Sequence, residues 1–226
     1  MCIRDRYFAE LKRYIDLDPP AHWHPRLSPA AQAIVDNPSS VATKVLAAGV
    51  AEGEQLILRG NGSDAVKRNG WSTGRAATGS GDDILKRAVG AKFGLGGHQA
   101  IENRSYAAQA DAQGNRIDGT KPLTLRFAAD NKPPCSAFWS LTAYGPDMYL
   151  VENAIDRWSI SDRTPDLNYD GDGGLTITLS YEQPTAMTNW LPVPAGPYLL
   201  GLRVYEGHDE VVNCAWFPPT LYPAND

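Results

Sequence analysis

Cysteine is scarce in this sequence. There are three, at positions 2, 135 and 214, and no two stand in a CxxC spacing. An odd, dispersed set argues against a structural zinc site, which needs clustered thiolates and imidazoles. Cys135 and Cys214 could pair if their strands are neighbours, or stand as two buried thiols; the redox compartment stays open. Positive charge is also short, with 21 Lys and Arg against 26 Asp and Glu, a formal balance of −5. That argues against a sequence-independent nucleic-acid binder, whose affinity comes from a basic face displacing counterions. No apolar run approaches the ~18 residues of a membrane-spanning helix. Internal repeats and low-complexity tracts are absent as well.

What remains is ordinary globular material, 42% hydrophobic, and its 226 residues are enough to bury a sizeable core without cross-links. The stretch Ala137–Tyr144 stands out. Ala137, Trp139, Leu141 and Ala143 fall on one side of a period-2 strand, and Phe138, Ser140, Thr142 and Tyr144 on the other. Each side carries an aromatic ring, so neither reads as a plain solvent face. The strand is expected to be central, with core on one side and a packed layer or a binding surface on the other.

Before it the chain reads as helical. The first six residues, Met-Cys-Ile-Arg-Asp-Arg, look like a translated sequencing-adapter scar of the kind found on metagenomic gene fragments, and residues 1–6 are set aside. Tyr7, Phe8, Leu11, Tyr14 and Ile15 have helical spacing, ended by Asp18-Pro19-Pro20. Ser28-Pro29 opens a short helix over Ala30 to Val35. Asn37-Pro38 starts a longer one with Val41, Val45, Leu46 and Val50 inward, which Gln55 to Arg59 either continue or leave as an extended piece. Residues 60–81 are rich in Gly, Ser, Asn and Thr and read as loop. Asp82 or Asp83 caps a helix that stops at Gly94–Gly97.

Beyond Gly97 short strands alternate with turns, the pattern of a sandwich or barrel. Leu123–Phe127, Met148–Val151, the neighbourhood of Trp158 and Ile160, Leu175–Tyr181 and Tyr198–Tyr205 are the expected strands. The domain reading is therefore a helical connector over 7–94 and a mainly β domain over 95–226.

Apparent catalytic motifs fail on context. Gly70-Trp71-Ser72-Thr73-Gly74 has the spacing of a nucleophile elbow, yet no buried strand precedes it and no helix follows. The alternative is a loop with Trp71 packed as an anchor. Gly60–Ala65 matches a dinucleotide fingerprint only loosely and lies outside any βαβ unit. Asp166–Gly171 resembles half of a calcium loop, but the twelfth position falls on Ile177 inside a strand, so a hairpin turn is expected. His22 and His24 form an H-x-H pair far from a third ligand, and surface or packing roles are expected. No metal and no cofactor are expected.

The suggestive constellation is polar and aromatic. Arg157, Asp162 and Arg163 lie in one stretch, Asn189 and Trp190 follow a loop, and Arg203 and Tyr205 share one face of the last long strand. Covered by a second layer, Arg203 needs a carboxylate, and Asp162 is the candidate partner. Two readings compete: a structural Arg–Asp network, or a pocket for a sugar or carboxylate ligand.

These same stretches carry a resemblance. Asp118-Gly119, Pro133-Pro134, Ala137–Tyr144, Asn153 with Arg157–Arg163, Asn189–Pro197, Arg203–Tyr205 and Trp216–Pro219 resemble, in order, the bacterial family catalogued as domain of unknown function 1214. Cys135 and Trp158 depart from its usual pattern, where a small or acidic residue and a Tyr are more typical. The resemblance implies a jelly-roll-like antiparallel β-sandwich behind a helical segment, in proteins often exported to the cell envelope, periplasmic or secreted. It also implies that residues 7–94 are the tail of a preceding domain, domain of unknown function 1254, mostly absent here. It supplies no catalytic residues. The leading expectation is a ligand-binding module for a carbohydrate or small polar molecule. The rivals are a hydrolase sited at the junction with the missing domain, using a pair such as Asp162 and Glu182, and a structural domain that packs as a homo-oligomer.

Overall fold

The computed structural model describes residues 3–19, 28–37, 41, 43–75, 81, 83–94, 96–185 and 189–224. The expectations for Pro20, His22, His24, Pro38 and Asp82 lie outside the described residues. Two compact units result, one of residues 1–63 with 80–96, the other of 64–79 with 97–226.

The first unit is helical: α1 (Ile3–Leu17), α2 (Pro29–Asp36), α3 (Thr43–Gly60) and α4 (Ile84–Phe93). Helix α1 begins inside the stretch set aside as a scar. The caps act as their sequences dictate. Ser28 accepts the Ala31 amide at 3.2 Å with Pro29 in the first turn, and Asp83 accepts the Lys86 amide at 2.9 Å. Helix α3 runs through Gly49 and Gly53, so Gln55–Arg59 are helical rather than extended. Val45 is exposed, not inward. Among the described residues of this unit only Val35 is fully buried. No described helix is long and apolar enough to cross a membrane.

The second unit is mainly β. Its strands are β1 (Ala65–Arg68), β2 (Trp71–Gly74), β3 (Asn103–Ala108), β4 (Leu123–Phe127), β5 (Cys135–Tyr144), β6 (Ser159–Ser161), β7 (Leu175–Ser180), β8 (Trp190–Pro192), β9 (Leu199–Gly207) and β10 (Leu221–Pro223), with a short helix α5 (Asp209–Val212). They form a six-stranded sheet, β1-β2-β3-β9-β5-β6, and a four-stranded sheet, β10-β4-β7-β8. All pairings are antiparallel except β7 with β8.

The alternation read from the sequence builds the core. Trp139, Leu141, Leu200, Leu202, Val204 and Tyr106 from the larger sheet meet Leu125, Phe127, Leu175, Ile177 and Leu179 from the smaller in one buried cluster. Phe127 and Trp139 touch across it with centroids 5.5 Å apart. Side chains interdigitated between two sheets are what holds a sandwich together. Strand β9 lies further inside its sheet than β5, which has only the three residues of β6 beyond it.

Two stretches differ from expectation. Residues 60–81 were polar enough to read as loop, but they contain the hairpin β1–β2, turning at Asn69-Gly70, both at positive φ. It adds two strands to the sheet through Trp71–Ala108 and Ser72–Ala107. Ser72 is thus a strand residue donating to the Ala107 carbonyl, and Trp71 is the buried anchor, bonded through Nε1 to the Pro219 carbonyl at 2.8 Å. Met148–Val151 is not a strand. Met148 has φ 68°, the chain folds back on Gly145, and only a single bridge, Tyr144 to Leu150, forms.

Arg104 is buried near the start of β3 with no carboxylate partner among the described residues. Its guanidinium donates to the carbonyls of Gly74 and Val212 at 2.6 Å each and to Thr73 Oγ1 at 3.3 Å. It pins the hairpin and α5 to the sheet.

Candidate functional site

The outer face of the six-stranded sheet is built by the second half of each alternation. From β5 it takes Phe138, Ser140, Thr142 and Tyr144; from β9 it takes Leu199, Gly201, Arg203 and Tyr205. Strand register then aligns them in rows. One row reads Ser72, Ala107, Gly201, Thr142, Ser159 across five strands, and the next Ser105, Arg203, Ser140, Ser161. Phe138 pairs with Tyr205 one row further on, and Tyr144 with Leu199 at the opposite end. The floor is therefore small and rich in hydroxyls, with rings at both ends, Arg203 in its middle and Lys67 of β1 at its edge, paired with Ser72.

Arg203 sits as it does because of Gly201. A Cβ at Gly201 would lie 3.3 Å from the Tyr144 ring and 3.4 Å from an Arg203 guanidinium nitrogen, so the guanidinium lies along the strand beside that ring. Its central carbon is 5.5 Å from the Tyr144 centroid. Glycine inside a strand weakens it, and its usual compensation is the close approach it permits. At the other end Phe138 and Tyr205 stack at 4.3 Å and 14°, and Arg163 lies 4.3 Å above Phe138. Arg163 also donates to the Ala137 carbonyl at 3.3 Å.

Asp162 is not the partner of Arg203. Strand β6 ends at Ser161, so the next amide of β5, that of Trp139, has no strand opposite; Asp162 Oδ1 accepts it at 3.2 Å. Neither Arg203 nor Arg163 has a carboxylate within ion-pair distance among the described residues. Arg126 on the smaller sheet shows the contrast, since it bridges Asp170 and Asp172. That bridge takes one carboxylate of the calcium-like loop, Asp170, which further accepts Thr176 Oγ1. Hydrogen bonds from the Gly174 amide and Arg126 hold the Asp172 carboxyl below its ordinary range.

The remaining site residues gather elsewhere. Arg157 and Asn189 line a small cleft of about 190 Å³ with Ile160, Thr164, Asp166 and Leu167. Asn153 shapes the loop leading to it, accepting the Ile155 and Arg157 amides and donating to the Val151 and Arg157 carbonyls. Arg157 donates to the Trp190 carbonyl at 2.9 Å. Asn189, at φ 53°, uses its whole amide for structure: it accepts from Asn168 N and donates to the carbonyls of Asn168 and Thr176. Trp190 is buried with its Nε1 on the Ser180 carbonyl, so it is no exposed platform. Asn189→Ala is expected to cost about 2 kcal/mol, because three hydrogen bonds go and a positive φ must be held without the amide. The urea midpoint measures it, and Asn189→Gly should recover only the backbone share.

Burial pushes the Cys135 thiol up, and the Asp162 charge adds to this, opposite to what a nucleophilic thiolate needs. Asp162 and Glu182 are exposed and border different sheets. Among the described residues no three His, Cys, Asp or Glu side chains converge to hold a metal. Sequence reasoning missed Phe138, Tyr144, Ser140 and Gly201 as site residues, although their outward parity was visible.

By fold, the second unit is a two-sheet, antiparallel-rich β-sandwich with a polar, ring-flanked outer face. Residues 102–209 match the family model described as "Protein of unknown function (DUF1214)". That segment contains Phe138, Tyr144, Arg163, Gly201, Arg203 and Tyr205. The VPA0106 protein from Vibrio parahaemolyticus, a crystal structure, is similar with a TM-score of 0.59 at 23% identity, covering 98% of this chain and 51% of its own. The chain thus spans about half the length of that solved relative. A putative uncharacterized protein from Burkholderia cenocepacia has a TM-score of 0.39 at 14% identity, over 96% of this chain and 47% of its own. No curated protein matches the chain.

Proposed function

We propose that the β-sandwich is a binding module for a polar ligand, a carbohydrate or similar molecule, seated on the outer face of the six-stranded sheet. One observation carries this reading. Arg203 lies in the middle of that face with no ion pair among the described residues, over a glycine that makes room for it, between hydroxyls and aromatic rings. Guanidinium, hydroxyl and ring face are the groups that hold sugars and their derivatives. The resemblance adds the setting: an envelope-associated or secreted protein whose helical unit is the tail of a preceding domain of unknown function 1254.

A glycan array probed with the 226-residue chain tests the reading, with Gly201→Val in parallel. Valine suits a strand, so the variant should fold, while its branches take the space of the Arg203 guanidinium. The expected result is retention on at least one saccharide by the natural chain and at least tenfold weaker retention by Gly201→Val, with unchanged circular dichroism. No retention, or retention indifferent to the valine, rejects it.

A further inference from the structure

The outer face holds more information than a preference for polar ligands. Resting on the reading above, we propose that its ligand is an acidic saccharide whose carboxylate is bound by Arg203, with Arg163 as the second cation.

Charge complementarity is the first argument. The chain carries a formal balance of −5, yet both arginines held by rings on this face, Arg203 and Arg163, lack a carboxylate among the described residues. Other arginines are satisfied in one of two ways: Arg126 bridges two aspartates, and Arg104 and Arg157 donate to backbone carbonyls. Asp162, the acid nearest in sequence to Arg163, is engaged by the Trp139 amide. A half-covered cation without a counter-charge is a cost the fold carries, and an anion relieves it.

Geometry is the second. A guanidinium lying beside a ring keeps its nitrogen edge free, and that planar edge matches a carboxylate through two parallel hydrogen bonds. Arg203 is placed this way by Tyr144 and Gly201. Arg163 is fixed over Phe138, which is backed by Tyr205, so both cations are held by rings on the same face.

The floor supplies the third. Ser140 and Ser105 flank Arg203 in its own row, and Ser161 lies one strand beyond Ser140. Ser140 Oγ is the half-buried member of a hydroxyl pair along β5, with the buried Thr142 Oγ1 3.5 Å from it. Hydroxyls beside a carboxylate receptor suit a sugar ring bearing an acid. A polyphosphate chain, by contrast, needs many phosphate contacts to bind well, and beside Arg203 and Arg163 this face adds only Lys67 at its far edge among the described residues.

The test compares one backbone with and without charge. Oligomers of galacturonate, glucuronate and alginate are titrated calorimetrically into the full chain beside their fully methyl-esterified forms. At least one acid form should bind tenfold or more tighter than its ester, and the difference should shrink as sodium chloride rises to 0.5 M. Arg203→Gln should bring the acid down to the affinity of the ester, whereas Arg126→Gln should leave it unchanged. If Arg203→Gln fails to fold, the ester comparison and salt series on the natural chain decide alone. Equal binding of acid and ester overturns the carboxylate proposal while leaving the polar-ligand reading standing, provided Gly201→Val abolishes both. If no acid binds, the carboxylate proposal is overturned. If the esters and a neutral glycan array are also silent, the reading beneath it falls too.

Discussion

Gly119→Ala should lower the stability of the β unit by about 3 kcal/mol, and with it the melting temperature by roughly 10 °C. Gly119 is in an ordinary backbone conformation, so the reason is space rather than φ. A Cβ there would fall on the carbonyl oxygen of Pro194 and lie 2.7 Å from Val193 Cγ2. A backbone carbonyl cannot swing aside as a flexible side chain can. The collision also lies inside a small network: Gly119 donates to the Gly196 carbonyl at 3.0 Å, accepts the Tyr181 amide at 2.9 Å, and Asp118 bridges Pro197. This junction fixes the turn before β4 against the segment entering β9, the strand that carries Gly201, Arg203 and Tyr205. Loss of stability should therefore come with loss of whatever the outer face binds. Gly171→Ala is the control, since nothing lies within 4 Å of its Cβ position, and it should melt within about 1 °C of the natural chain. A Gly119→Ala protein that melts with the control would show that the junction yields cheaply.

The sandwich was legible because period-2 alternation survives in the strands that matter. Leu175–Ser180 and Leu199–Gly207 are where hydrophobic spacing puts them, and their apolar residues are the core. The β1–β2 hairpin was not legible because Ala65–Arg68 is short and half polar, and an edge hairpin gains its stability from the sheet it joins. The site was legible by parts. Alternation puts Arg203 and Tyr205 on one face of the last long strand, and Phe138 and Tyr144 on one side of a different strand, without saying which faces point outward. Only register shows that Arg203 stands opposite Ser140 and Phe138 opposite Tyr205. The Arg203–Asp162 pairing fails for the same reason: alternation gives no distance between two strands, and the Trp139 amide of β5, left without a strand opposite where β6 ends, has the nearer claim on Asp162. Asn189 and Trp190 were singled out for their chemistry, yet that chemistry is spent on backbone groups, as is usual for side-chain hydrogen bonds.

The β unit should lose stability steeply above about pH 10, by roughly 2.8 kcal/mol per pH unit. Two phenols cause this. Tyr106 is wholly buried, with its hydroxyl on the Trp216 carbonyl at 3.2 Å and its ring against Trp216 and Phe217. Burial pushes its pKa above the usual tyrosine value, and the nearby Arg104 charge only partly opposes this. Tyr198 is buried with no hydrogen-bond partner for its hydroxyl among the described residues, and its pKa is raised by burial and further by the charge of Asp118. Below pH 10 both phenols are protonated whether the chain is folded or not, so the full stability is present. Above it the unfolded chain releases two protons that the folded one retains, and each missing proton costs about 1.4 kcal/mol per pH unit until the folded groups ionise. Cys135, raised the same way, adds a shallower decline starting near pH 9. By about pH 11.5 the tyrosines alone remove some 4 kcal/mol, a large part of the 5–15 kcal/mol typical of a domain. Urea unfolding at pH 8 to 11.5 measures the slope. Tyr198→Phe should halve it and, by deleting an unsatisfied buried hydroxyl, add about 1 kcal/mol at pH 7. Tyr106→Phe should also halve the slope but lose about 1 kcal/mol at pH 7, since it orphans the Trp216 carbonyl. A flat profile between pH 10 and 11 would mean that both phenols ionise inside the fold as readily as outside it, and that the packing around Arg104 and Asp118 admits water.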